Sequence, residues 1–219
     1  MTDLKAIRGL IFDMDGTLLD SMPIWFTIEI DYLKSLGVSP HPDLNKTLRA
    51  LSGLETAMYF QSEYGVRKTV FEIETERNAM LEDFYFNRAP LKDGVLETLQ
   101  AFRERDVRMC IATATDRHLT EPALQRCGVI DYFERIYTCS EEGSSKSSPD
   151  IYFRAAEFLG TNVSDTLVVE DALYAMKSAK KAGFPVAAVY DLSYEDRSDD
   201  IRALVDFYFV KMDEMLAFL

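Results

Sequence analysis

The sequence predicts an α/β fold, a parallel sheet flanked by helices, with an all-helical block inserted near its start. Three observations predict it. From about residue 90 onward, short β-prone runs alternate with helical patterns, which argues for parallel strands joined by crossover helices. One further apolar run, Gly9-Leu10-Ile11-Phe12, stands alone near the N-terminus. Between the two, residues 22–89 carry helical patterns and no strand.

Gly9–Phe12 reads as a buried strand because a glycine precedes it and the turn signal Asp-Gly-Thr follows at once. Side chains two apart point the same way in an extended chain. Asp13 and Asp15 are therefore expected to project together from the strand's end. Each of two adjacent carboxylates raises the cost of ionising the other, so the pair calls for a cation, a shared proton or a functional reason. The insertion runs from Met22-Pro23 to the segment "APLKDG". Within it, Trp25–Leu36 stops at Gly37, Asp43–Leu51 near Gly53 and Glu55–Tyr64 at Gly65, while Lys68–Phe86 is long and amphipathic. Glycines just past the last helical turn are the usual helix stops.

The remainder reads in order as helix Gly94–Arg105, strand Val107–Thr113, helix Arg117–Cys127 and strand Arg135–Cys139. Helix Asp150–Leu159, strand Thr166–Asp171, helix Ala172–Ala182 and strand Pro185–Tyr190 follow. Asp206–Val210 adds a last strand and Asp213–Leu219 a final helix. The Ser-rich stretch "SEEGSSKSSP" is a loop easily mistaken for a linker. An all-helical block placed directly after the first strand is expected to form a lid over that strand's C-terminal end, where open α/β sheets bind ligands.

Composition narrows the function. Hydrophobic residues make up 47% and charged residues 28% of the 219, an ordinary globular composition. With 24 lysines and arginines against 37 aspartates and glutamates, the formal charge is −13. So acidic a surface repels phosphate backbones and anionic lipid, which excludes nucleic acid and membrane as expected partners. Cys110, Cys127 and Cys139 form no CxxC pair or ligand spacing, and read as buried structural thiols in a reducing compartment. Asp3, Lys5 and Arg8 interrupt any signal-peptide core, and no apolar run approaches the ~20 residues that span a bilayer. A cytoplasmic monomer is expected.

Polar groups recur at the predicted strand ends. Thr113 closes "MCIAT", Lys146 sits in the Ser-rich loop, and Glu170-Asp171 close "TLVV". In a parallel sheet these converge with Asp13 and Asp15 on one edge. Clustered carboxylate oxygens suit a hard cation such as Mg²⁺. A lone lysine and a hydroxyl beside it suit a phosphoryl group.

These residues carry a family resemblance. "DMDGTLLDS" resembles the first motif of the haloacid dehalogenase superfamily, D-x-D-G-T-[LV]-x-D-[ST]. Thr113 in "IATAT", Lys146 in "KSSPDIY" and the acidic pair of "VVEDALYAMKSAKKAG" resemble the second, third and fourth, in the same order. The resemblance implies a Rossmann-like core, residues 1–21 and 90–219, with a helical cap at 22–89. It implies an Mg²⁺-dependent phosphatase acting on a small phosphorylated metabolite. Asp13 would be the nucleophile, Asp15 the acid and base, and Thr113, the Ala114 N–H and Lys146 the holders of the phosphoryl oxygens. Mg²⁺ would be held by Asp13, the Asp15 carbonyl and Asp171, with Glu170 nearby or acting through water. Thr17 would support the pair.

The sequence also departs from the family. Ser147 stands where the third motif usually has proline, and Ala172 and Ala175 replace the Ser and Gly often seen in the fourth. Asp15 argues against haloalkanoate cleavage, whose enzymes lack that aspartate. The branch with this cap position includes sugar-phosphate phosphatases and β-phosphoglucomutase. Trp25 stands where a mutase is expected to carry a histidine, and Gly53 where it carries an arginine. Arg49 and Trp25 remain as cap residues for substrate. Phosphatase is the expected activity, phosphomutase the alternative, and a non-catalytic binding protein the third reading. Asp116 and Arg117 read as helix-capping and solvated, Asp20 as a turn residue, and His41 and His118 receive no role.

Overall fold

All four residues of β1 (Gly9–Phe12) are buried, because the strand is covered on both faces and paired on both edges. This computed structural model describes residues 4–48, 51 and 53–219. β2 (Arg108–Thr113) and β4 (Thr166–Glu170) pair with β1 in parallel, with Ile11 opposite Cys110 and Val168. β3 (Arg135–Thr138) lies outside β2, and β5 (Val186–Val189) and β6 (Phe207–Phe209) extend the other side. The order is β3-β2-β1-β4-β5-β6 and every pair is parallel. Strand order therefore reverses between β1 and β4, and the crevice beyond their C-terminal ends is where such sheets bind ligands.

The chain divides into two compact units, residues 1–22 with 89–219, and residues 23–88. The smaller unit is helical: α1 (Met22–Ser35, its first residue counted with the larger unit), α2 (Leu44–Leu48), α3 (Gly53–Tyr64) and α4 (Val70–Asn87). Tyr32, Leu33, Phe60 and Ile73 form its core. α4 starts at a capping box, Thr69 accepting from the Glu72 N–H while the Glu72 carboxylate accepts from the Thr69 N–H. The Tyr32 hydroxyl donates to Glu76 at 2.9 Å and Arg77 pairs with Glu29, tying α1 to α4. Gly37 and Gly65 follow α1 and α3 in the left-handed region, as expected of helix stops. α2 is described over Leu44–Leu48, within the Asp43–Leu51 expected, and Gly53 opens α3.

In the larger unit, α5 (Val95–Arg103), α6 (Arg117–Arg126), α8 (Asp150–Leu159) and α9 (Leu173–Lys181) are the crossover helices, and α7 (Cys139–Glu142) is a single turn after β3. α8 buries Ile151, Tyr152, Ala155, Ala156 and Leu159, one face at helical spacing, against Ile11, Cys110 and Val168 of the sheet. Each fully buried aliphatic side chain there contributes about 1.5–3 kcal/mol. A Leu159→Ala change would cost about 2–5 kcal/mol through the cavity it leaves. α10 (Ser198–Leu204), which the sequence pattern did not predict, precedes β6.

The final segment, expected as an α-helix, is a 3₁₀ turn over Met212–Phe218. Seven residues at a chain end give few bonds to offset helix nucleation. All three cysteines are free thiols. Cys110 is buried as expected, whereas Cys127 and Cys139 are only partly so. No helix among the described residues is long and apolar enough to cross a membrane.

Candidate active site

The site is assembled at the C-terminal ends of β1, β2 and β4. Asp13 continues β1 by one ladder bond, its N–H donating to Val169 O at 2.9 Å. That bond aims its carboxylate into the crevice beside the end of β4, where Glu170 closes the strand and Asp171 follows. All three carboxyl groups are buried, and ligand oxygens of Asp13, Glu170 and Asp171 lie within 4.8 Å of one another. At that separation, and at an effective dielectric of ~20, two full negative charges repel by about 3–4 kcal/mol. The cluster therefore needs positive charge.

Lys146 supplies one. It is 3% exposed, and its ammonium contacts the Asp13 carboxylate and donates to Glu170 Oε1 at 2.7 Å. Burial opposes this charge, but Asp13 and Glu170 outweigh it and hold the Lys146 pKa well above the ordinary lysine value. Glu170 is otherwise engaged as well: Oε1 accepts from the Tyr152 hydroxyl at 3.0 Å and Oε2 from the Ala172 N–H at 3.3 Å.

One ammonium does not neutralise three carboxylates. Burial is the largest influence on Asp13 and, with Glu170 adding to it against Lys146, pushes that carboxyl up to about 6. Burial followed by Asp13 and Glu170 pushes Asp171 well above the ordinary carboxylate range. Among the described residues no hydrogen-bond donor reaches the Asp171 carboxylate. A buried carboxylate without a donor, facing two more, is an oxygen-rich site that fits a hard cation.

Beyond Asp13 the chain turns over Met14–Leu19, and the Leu18 and Leu19 N–H groups both donate to Met14 O. Asp15 therefore lies on this turn rather than on β1, and it is not one of the three carboxylates of the Asp13–Glu170–Asp171 group. Its oxygens accept instead from the Ser21 and Thr115 hydroxyls, both at 2.6 Å. Thr115 also donates its N–H to Thr113 Oγ1 at 3.1 Å, so one residue links the end of β2 to Asp15. Thr17 Oγ1 lies 3.4 Å from Asp13 Oδ2, a long contact that fits its expected supporting place.

The structure thus brings together Asp13, Lys146, Glu170 and Asp171, with Asp15 and Thr113 connected through Thr115. Ala114 is exposed at the bend after β2. Trp25 lies on α1 of the helical unit and is 42% exposed. Arg49 lies outside the described residues. Asp116 precedes α6 but makes no side-chain cap; its carboxylate accepts from the Ser140 hydroxyl at 2.6 Å. Arg117, expected to be solvated, pairs with Glu121 and Glu141 and donates to Ile136 O. Sequence reasoning gave no role to Ser21, Thr115 or Tyr152. Ser21 closes the first motif and Tyr152 the quoted third, so both were marked by position. Thr115 was marked only by standing two residues past Thr113.

A family described as haloacid dehalogenase-like hydrolase matches residues 10–189. Hexitol phosphatase B of Escherichia coli (strain K12) is 27% identical over 184 residues, 83% of each chain. N-acetylmuramic acid 6-phosphate phosphatase of Pseudomonas aeruginosa is 29% identical over 187 residues, 84% of this chain and 81% of the relative. Among solved structures, a Thermotoga maritima protein described as a candidate β-phosphoglucomutase superposes with a TM-score of 0.84 at 22% identity, covering 96% of this chain and 97% of that one. At that identity the likeness is one of fold.

Proposed function

The chain belongs to the haloacid dehalogenase-like hydrolase family, and from that premise we propose that it is an Mg²⁺-dependent phosphatase of small, sugar-like phosphate esters. The observation that carries this reading is the buried Asp13–Lys146–Glu170 group beside a donorless Asp171. Relatives named as hexitol and N-acetylmuramic acid 6-phosphate phosphatases support the substrate class.

In this reading an Asp13 carboxylate oxygen attacks phosphorus and the ester oxygen leaves, giving an aspartyl phosphate. Asp15, fixed by Ser21 and Thr115, gives a proton to the leaving oxygen. It then takes a proton from the water that attacks the phosphoenzyme, which releases phosphate and restores Asp13. Lys146, the Thr113 hydroxyl and the Ala114 N–H hold the transferring phosphoryl oxygens. Glu170 acts mainly by holding Lys146, since both its oxygens already accept hydrogen bonds. Asp13, the Asp15 main-chain carbonyl and Asp171 would hold Mg²⁺, whose charge would offset repulsion between the nucleophile and a dianionic ester.

Residues 22–89 are read as a cap that excludes water during transfer, on the ground that they are inserted directly after the first motif. The charge of −13 supports a monomer without nucleic-acid or membrane partners, and three free thiols support a reducing, cytoplasmic compartment. The test is a panel of phosphorylated sugars and sugar alcohols assayed for phosphate release with Mg²⁺ and with EDTA. Release from at least one ester, abolished by EDTA and restored by Mg²⁺, is expected. Failure on every small ester would overturn the assignment.

A further inference from the structure

Gly16 meets two demands that conflict. Its φ is +77°, and a Cβ there would lie 2.4 Å from Asp171 Oδ2, so only glycine lets this backbone pass against that carboxylate. Yet glycine is also the residue least able to hold a fixed conformation, and it directly follows Asp15, whose carbonyl belongs to the Asp15–Gly16 peptide. Something else must hold the turn.

Both peptide planes of Gly16 are pinned. The Gly16 N–H donates to Leu19 O at 2.9 Å, which fixes the Asp15–Gly16 plane. The Gly16 carbonyl accepts from Lys92 Nζ at 2.7 Å, which fixes the Gly16–Thr17 plane. The same ammonium donates to Tyr190 O at 2.6 Å and Asp191 Oδ2 at 2.9 Å, so its three protons meet three acceptors. The Lys92 side chain is only 15% exposed and that of Asp191 5%. Asp191 is itself held, Oδ1 accepting from the Ser193 N–H at 2.9 Å. The main chain grips the same turn from its far side: the Lys92 N–H donates to Leu18 O at 2.9 Å, and Leu91 bridges Leu19.

We infer that Lys92 is a positioning residue that locks the Gly16 turn against Asp171 and so sets the affinity of the site for its cation. No sequence motif marks it; it lies in "APLKDG", the segment at which the insertion ends. The inference rests on the cation site of the proposed function. With Lys92 removed, Gly16 regains its freedom, and the Asp15 carbonyl and Asp171 carboxylate no longer hold a fixed relation. Residues that orient metal ligands in this way typically change affinity by about 10–100-fold when lost.

The test is Mg²⁺ titration of substrate-free protein by calorimetry, with the Tm of the metal-free protein measured in parallel. Lys92→Met should raise the Mg²⁺ dissociation constant about 10–100-fold. Lys92→Gln, which keeps two N–H donors on a shorter arm, should fall between it and the wild type. If Lys92→Met does not fold, the Gln variant decides by the same titration. A lowered metal-free Tm with an unchanged dissociation constant would reduce Lys92 to a structural brace and overturn the inference, leaving the phosphatase reading intact. Absence of Mg²⁺ binding by the wild type would overturn both.

Discussion

Lys146 donates to Glu170 Oε1 at 2.7 Å across the gap between the Ser-rich loop and the end of β4, and this bond aims its ammonium at Asp13. The loop around Lys146 looks like a linker in the sequence, but the bond makes it part of the buried core. Lys146→Met removes the only ammonium that contacts Asp13 and Glu170 among the described residues. Phosphate release should fall about 10²–10³-fold, the usual loss when one donor to a transferring group is removed. Stability should fall as well, by about 3–5 kcal/mol, because two buried carboxylates lose their partner. A folded Lys146→Met variant with wild-type turnover would refute the role given to Lys146.

Asp13→Asn separates chemistry from folding. Burial and Glu170 disfavour the Asp13 charge, and burial is the stronger of the two. A neutral amide of the same shape should therefore leave the Tm within a few degrees of the wild type. Turnover should vanish, because the amide cannot form the acyl phosphate. Appreciable phosphate release by the folded variant would sink the mechanism.

The elements were legible where periodicity and turn residues agree. β1, β2, β4 and β5 are apolar runs bounded by glycine, proline or acidic turns, and each was found within a few residues. α7 and α10 were missed because one is a single turn inside a serine-rich stretch and the other a polar segment, "SDDIRAL". Within the site, residues standing at strand ends could be read from sequence alone. Thr115 and Lys92 could not, since each acts through a contact about 75 to 100 residues distant in the chain.

The response of stability to pH should depend on the cation. Asp13 lies at about 6 and Asp171 well above its ordinary value, against 3.8 for both when unstructured. For a carboxyl raised on folding, the stabilising contribution is complete below the unfolded pKa and is lost as pH rises through the folded one. For Asp13, a shift of about two units corresponds to about 3 kcal/mol. Mg²⁺ competes with those protons, so the Tm gained on adding Mg²⁺ should grow between pH 5 and pH 7.5. Asp171→Ala should flatten that growth and raise the Mg²⁺ requirement about 10-fold or more. An equal Tm gain at both pH values would contradict the cation site.

A cap that excludes water should also exclude large substrates. Catalytic efficiency on a folded phosphoprotein should lie far below that on the best small ester. Comparable efficiencies would argue that residues 22–89 do not occlude the site.

The last prediction separates hydrolysis from transfer to a second sugar hydroxyl. A mutase must keep water from its aspartyl phosphate and hold a second phosphate while the sugar turns over, tasks that call for a proton-transferring group and a cation on the cap. Trp25, on α1, offers an apolar stacking face and no titratable group. Gly53, at the start of α3, offers no charge. On the proposed reading of residues 22–89 as the cap, such residues should let water take the phosphoryl group from Asp13. With β-glucose 1-phosphate and a catalytic amount of the bisphosphate, little or no glucose 6-phosphate should form, while another small ester should yield inorganic phosphate. Efficient glucose 6-phosphate formation without matching phosphate release would instead mean that other cap residues do this work, and would make the protein a phosphomutase.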